Sequence, residues 1–215
     1  MIELQKILPI PLKEMPGGIN PASGVFDTTC VLEKGKKYLV NAASGRGKST
    51  LLHIVYGLRS DFEGTAKVDG KDVRSFTANE WAACRQRKLS IVFQDLRLFP
   101  QLTAWENILL KNGQTNCASE AEIKNWAERL GMAPFLQQTA ATLSYGQKQR
   151  IAILRAVCQP FDMLLLDEPF SHLDVENTRH ASELIAEACE KQASGFVLVS
   201  LGEEYFFEYD KKIDL

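Results

Sequence analysis

At 215 residues the chain can bury one substantial core, and its 45% apolar and 24% charged residues are ordinary for a soluble globular protein. A net charge of −2 gives no electrostatic case for nucleic acid as the main partner. No apolar run approaches the roughly 18 residues of a membrane span, and Met1-Ile2-Glu3-Leu4-Gln5-Lys6 lacks the form of a signal peptide.

Ile2–Leu8 and Val25–Leu32 read as the first two strands, with a turn-rich segment between them carrying Pro9, Pro11, Pro16-Gly17-Gly18 and Pro21. Lys37–Val40 reads as a third strand and feeds Asn41-Ala42-Ala43-Ser44-Gly45-Arg46-Gly47-Lys48-Ser49-Thr50, after which Leu51–Val55 continues as a helix. A strand, a Gly-rich turn and a helix opening on Gly-Lys-Ser form the context of a phosphate-binding loop. Gly45 and Gly47 free the backbone to aim its N–H groups at one point, and the helix N-terminus adds its positive dipole end. In such a loop Lys48 reaches the β- and γ-phosphates and the Ser49 hydroxyl ligates Mg²⁺. The usual pattern opens on Gly where this chain has Ala42, which matters only if that residue needs φ > 0.

Thr65–Val68, the Asp69-Gly70 turn and Lys71–Val73 read as a hairpin. Thr77 with Glu80 is a capping box opening a helix, and Leu89–Phe93 is a strand ending at Gln94. From Leu96 to Leu143 the pattern turns helical. Capping boxes at Thr103/Glu106 and Ser119/Glu122 open segments whose apolar residues (Trp105, Ile108, Leu109; Ile123, Trp126, Leu130) recur at helical spacing, as core positions do. Ser144 with Gln147 opens a further helix through Ile151, Leu154 and Cys158. Ser144 and Gly146 display a hydroxyl and bare N–H groups at its N-terminus, a second place for phosphate to dock.

Met163–Leu166 followed by Asp167-Glu168 fits a central parallel strand, buried on both faces and ending in two carboxylates. Ligands in open α/β sheets bind at that end. Asp167 suits Mg²⁺, and Glu168 suits the orientation and deprotonation of an attacking water. A helix to about Lys191, a last core strand Phe196–Val199 and a hairpin around Asp210-Lys211 complete the reading, with no appended domain. Five widely spaced cysteines (Cys30, Cys84, Cys117, Cys158, Cys189) form no Cys-x-x-Cys pair and read as buried, reduced thiols. The expected fold class is α/β: a P-loop NTPase core with an N-terminal antiparallel β part and an inserted α-helical sub-domain. Residues 1–215 form one domain, with core 1–94 and 144–215 and a sub-domain of about 95–143.

These blocks, in this order, resemble the nucleotide-binding subunits of ATP-binding cassette (ABC) transporters over nearly the whole chain. The likeness rests on the phosphate loop, Val92-Phe93-Gln94, the signature Leu143-Ser144-Tyr145-Gly146-Gln147, Asp167-Glu168 and Ser171-His172-Leu173-Asp174. Arg85–Leu110 looks most like the small cassettes of lipoprotein-release and efflux systems. The resemblance implies ATP and Mg²⁺ as cofactors and a head-to-tail dimer in which Ser144, Tyr145, Gly146 and Gln147 face the partner chain's ATP. It implies Glu168, Gln94 and Lys48 as catalytic groups and Ser49, Gln94 and Asp167 as metal ligands. It also implies a membrane-spanning permease as partner, with the chain held through it on the inner face of the cell membrane.

Two departures weaken the expected chemistry. Family members carry a histidine after the last core strand; here Leu201 stands in its place, and loss of one such donor costs roughly 10²–10³-fold in rate. The family also stacks adenine on an N-terminal aromatic, yet residues 1–25 contain no Phe, Tyr or Trp, which predicts weaker, less base-selective binding. His172 is a candidate substitute for the missing histidine. The alternatives are a hydrolysis-impaired cassette serving as a regulatory or assembly module, half of a heterodimer, or a soluble cassette ATPase outside transport.

Overall fold

The computed structural model describes residues 1–15 and 18–215; the turn expected at Pro16-Gly17 lies outside the described residues. Among the described residues, nine strands form two sheets. The first is antiparallel, in the order β2 (Thr29–Leu32), β1 (Ile2–Pro9), β4 (Phe62–Val68), β5 (Lys71–Asp72). The second is parallel throughout, in the order β6 (Leu89–Val92), β7 (Met163–Asp167), β8 (Gly195–Ser200), β3 (Lys37–Asn41), β9 (Lys211–Asp214).

The parallel sheet is the middle layer, and side-chain alternation sorts its residues between two apolar cores. Leu39, Val92, Leu164, Leu166, Phe196 and Leu198 face one core. Its other wall is built by α4 (Ala104–Asn112), α5 (Glu120–Arg129), α6 (Tyr145–Val157) and α7 (Val175–Lys191). Val40, Leu89, Ile91, Leu165, Val197 and Val199 face the opposite core, which α2 (Lys48–Val55) shares with the antiparallel sheet. Every residue of β7 is buried, as expected for a strand covered on both faces.

The capping boxes at Thr77, Thr103, Ser119 and Ser144 all form, each with both reciprocal hydrogen bonds, and α3 (Ala78–Arg87) starts where its box predicts. Two expected elements differ. The second strand begins at Thr29 rather than Val25, because Asp27 turns to φ 53° and Ser23 Oγ accepts from the N–H groups of Val25 and Phe26. That loop carries buried Phe26 beneath the phosphate loop, where Phe26 and Leu12 of the one-turn helix α1 (Ile10–Lys13) close on Gly47. The final hairpin is a single strand: β9 joins β3 in parallel, and Asp210 is occupied by the backbone N–H of Lys37 at 2.8 Å instead of forming a turn. Phe207 and Tyr209, expected in the first arm of that hairpin, instead pack their rings on Phe196. Four cysteines are buried and unpaired, and Cys117 is half-buried.

Candidate functional site

The phosphate loop leaves β3 at the C-terminal edge of the parallel sheet, beside the ends of β7 and β8. Gly45 and Gly47 have φ of 77° and 94°, and a Cβ on Gly47 would lie 2.4 Å from Leu12 Cδ1, so both positions require glycine. Ala42 is not among the residues with positive φ, and its N–H bonds to Ser200 O at 3.2 Å. The methyl group there is therefore tolerated.

Lys48 is buried at 6% exposure. Its ammonium donates to the carbonyls of Ala42 (2.9 Å) and Ala43 (3.2 Å), and lies 3.4 Å from Glu168 Oε1. The cation is thus satisfied by its own loop and by the carboxylate that follows β7. Glu168 itself sits at φ 47°, a left-handed backbone that costs energy in any residue with a Cβ. Ser44, Arg46 and Thr50 complete the loop and the first turn of α2.

Asp167 is 1% exposed, and burial pushes its carboxyl up to about 6, opposed by a hydrogen bond from the Ser49 hydroxyl and by Lys48. Its Oδ1 has no hydrogen-bond partner. A buried carboxylate oxygen left orphaned beside a serine hydroxyl is a donor set that fits a divalent cation. Magnesium in particular is held by one or two carboxylates with substrate phosphates, not by an all-protein cage. Among the described residues no cluster of three or more His, Cys, Asp or Glu offers such a cage.

Ser49, His53, Gln94, Arg97, Tyr145 and Asp167 line an open cleft of about 440 Å³. A second cleft of about 200 Å³ runs from Ser44 to Thr50 past Gln94 and Glu168. Gln94 thus borders both clefts. His53 was not singled out from sequence; it follows Ser49 by one helical turn on the same face of α2, a spacing that could have found it. Desolvation, then the Arg97 guanidinium, holds its imidazole below the usual histidine range.

The signature opens α6. Ser144 Oγ accepts from Gln147 N at 3.3 Å, and Ser144 N donates to Gln147 Oε1 at 2.8 Å. Gly146 lies against the His172 backbone, where a Cβ would come within 3.0 Å of the carbonyl oxygen. His172 faces its own chain: its ring lies 4.2 Å from that of Tyr145, and its Nδ1 is 2.9 Å from Ser171 Oγ. Leu201 projects from the end of β8 with 60% exposure and no polar atom to offer.

The ABC transporter family model matches residues 26–171. The lipoprotein-releasing system ATP-binding protein LolD of Alcanivorax borkumensis is 33% identical over 197 residues, spanning 90% of this chain and 86% of LolD. The aliphatic sulfonates import ATP-binding protein SsuB of Bacillus anthracis is 36% identical over 169 residues, spanning 79% of this chain and 64% of its own. Among solved structures, the bacterial ABC transporter cassette MJ0796, described as a dimer, superposes with a TM-score of 0.80 at 26% identity, over 100% of this chain and 94% of that one. The same cassette has also been solved in a post-hydrolysis state bound to ADP and Pi. With the family model covering most of the chain, from the loop before β2 to the loop after Glu168, and a LolD spanning nine-tenths of it, this chain belongs to the ABC transporter family, among its ATP-binding subunits.

Proposed function

We propose that the chain binds and hydrolyses ATP in a head-to-tail dimer and drives a separate membrane-spanning permease. The observation that carries this reading is Asp167, buried, orphaned at Oδ1 and lining one cleft with Ser49, beside the 3.4 Å pair of Lys48 and Glu168. Ser49, Asp167 and Gln94 would hold the metal. Mg²⁺, when bound, neutralises charge on the β- and γ-phosphates. The N–H groups of Ala43 to Thr50 cradle the phosphates, and Lys48 exchanges its loop carbonyls for phosphate oxygens. That exchange releases Glu168 to orient a water and take its proton while the water oxygen bonds the γ-phosphorus and ADP leaves. Ser144, Tyr145, Gly146 and Gln147 of one chain close over the nucleotide of its partner.

The helical segment of about 95–143 would be the sub-domain that docks on the permease. No helix among the described residues is long and apolar enough to cross a membrane, so the permease would bring the chain to the inner face of the cell membrane. Turnover is expected to be slow, because the side chain of Leu201 can donate nothing.

The deciding experiment is light scattering of Glu168→Gln protein with and without ATP, alongside wild-type ATP turnover. An ATP-dependent dimer that is lost with Lys48→Ala, together with measurable wild-type turnover, is the expected result. Dimerisation with no turnover would point to a regulatory cassette. Neither dimer nor turnover in the isolated chain would overturn the homodimeric ATPase and point to a heterodimer.

A further inference from the structure

The loop after Gln94 is held to the signature helix at both ends. At the near end, the Tyr145 hydroxyl donates to the Gln94 carbonyl at 2.8 Å. At the far end, buried Arg155, three turns along the same helix, donates to the carbonyls of Leu96 (2.6 Å) and Arg97 (2.7 Å). At the far anchor Leu96 and Arg97 take successive left-handed conformations, φ 60° and 45°, which non-glycine residues hold only when their surroundings impose them. Tyr145 is itself fixed from behind. Its ring packs on His172, and buried Gln149 of α6 joins Ser171 Oγ, the His172 N–H and the Glu168 carbonyl. A continuous chain of contacts therefore links Gln94, the start of α6 and the loop that follows Glu168.

We propose that Tyr145 is a positioning residue that couples the signature helix to the Gln94 loop of its own chain. The inference rests on the nucleotide site proposed above. Neighbouring positions of one motif then address two different sites. Ser144 is exposed at the start of the helix, on the face proposed to meet a partner, while the side chain of Tyr145 reaches back to the metal-side cleft of its own chain. A displacement of Gln94 on nucleotide binding is passed to the face offered to the partner through one hydroxyl and one ring stack.

Tyr145→Phe keeps the ring and removes the hydroxyl. In the nucleotide-free protein, amide exchange over Gln94–Arg97 should rise about fivefold, the factor expected for one neutral hydrogen bond, with the rest of α6 unchanged. In turnover, kcat should fall by about the same factor with KM for ATP little altered, and the same change in a Gln94→Ala background should add nothing further. Unchanged exchange in Tyr145→Phe, or an equal drop in both backgrounds, would overturn the coupling. If the wild-type chain hydrolyses no ATP, the proposed function fails, and the exchange measurement alone decides whether the tether exists.

Discussion

Asp167 is a single residue whose placement costs the fold stability. Its carboxylate is almost wholly buried with one oxygen unpartnered, which is unfavourable until a cation or donor reaches it. Asp167→Asn removes the charge at nearly constant shape. It is expected to raise the melting temperature of the nucleotide-free protein by roughly 2–4 °C, the equivalent of about 1 kcal/mol at this chain length, and to abolish Mg²⁺-dependent ATP binding. Thermal denaturation paired with an ATP titration checks both; a lower melting temperature would show that the carboxylate stabilises the empty fold. Leu201 poses the opposite case, an exposed side chain with no stabilising role. Leu201→His should raise kcat by roughly tenfold or more if an imidazole there can reach the phosphate, since donors of this kind are worth roughly 10²–10³-fold. An unchanged kcat would mean that this chain's geometry has moved away from using one.

Among the elements, α6 combines the most roles: a capped N-terminus at Ser144, a tether at Tyr145 and a buried clamp at Arg155. Ser144→Ala deletes the cap, and about 1 kcal/mol of stability should go with it. ATP-dependent dimerisation should fail even at temperatures where the helix remains folded, which circular dichroism and light scattering together would show. A loss of dimer that simply tracked unfolding would reduce Ser144 to a structural cap. The boxes at Thr77, Thr103, Ser119 and Ser144 were legible in the sequence because both partners of each lie within three residues, so local chemistry decides them. The phosphate loop and the β7 carboxylates were legible for a similar reason, being contiguous. β9 was not legible, because its pairing partner β3 lies more than 160 residues earlier and nothing local distinguishes a parallel edge strand from a hairpin arm. Phe26 escaped notice likewise: an apolar pair before a strand reads as more strand until Asp27 is seen to turn left-handed. The role of Tyr145 is not legible from the signature, because its bond to Gln94 spans 51 positions that no motif connects.

For the molecule as a whole, the parallel sheet divides function as well as packing. The phosphate loop and α2 belong to one core, and the signature helix with α4, α5 and α7 belongs to the other. The two meet at the C-terminal edge of the sheet, where Gln94 and Glu168 follow the ends of β6 and β7 and Ser200 ends β8. Ile123→Ala, which empties part of the helical core, should cost 2–5 kcal/mol or so there. Uniform loss of protection from amide exchange across both cores would show that they are one cooperative unit. The expected result is unequal loss, with α4 and α5 opening first while the amides of β3 and α2 stay protected. The sheet then acts as a partition between two folding units. Under heat or denaturant such a chain would pass through a state that still grips nucleotide but has lost the face proposed to meet a partner cassette, so that binding would outlive assembly.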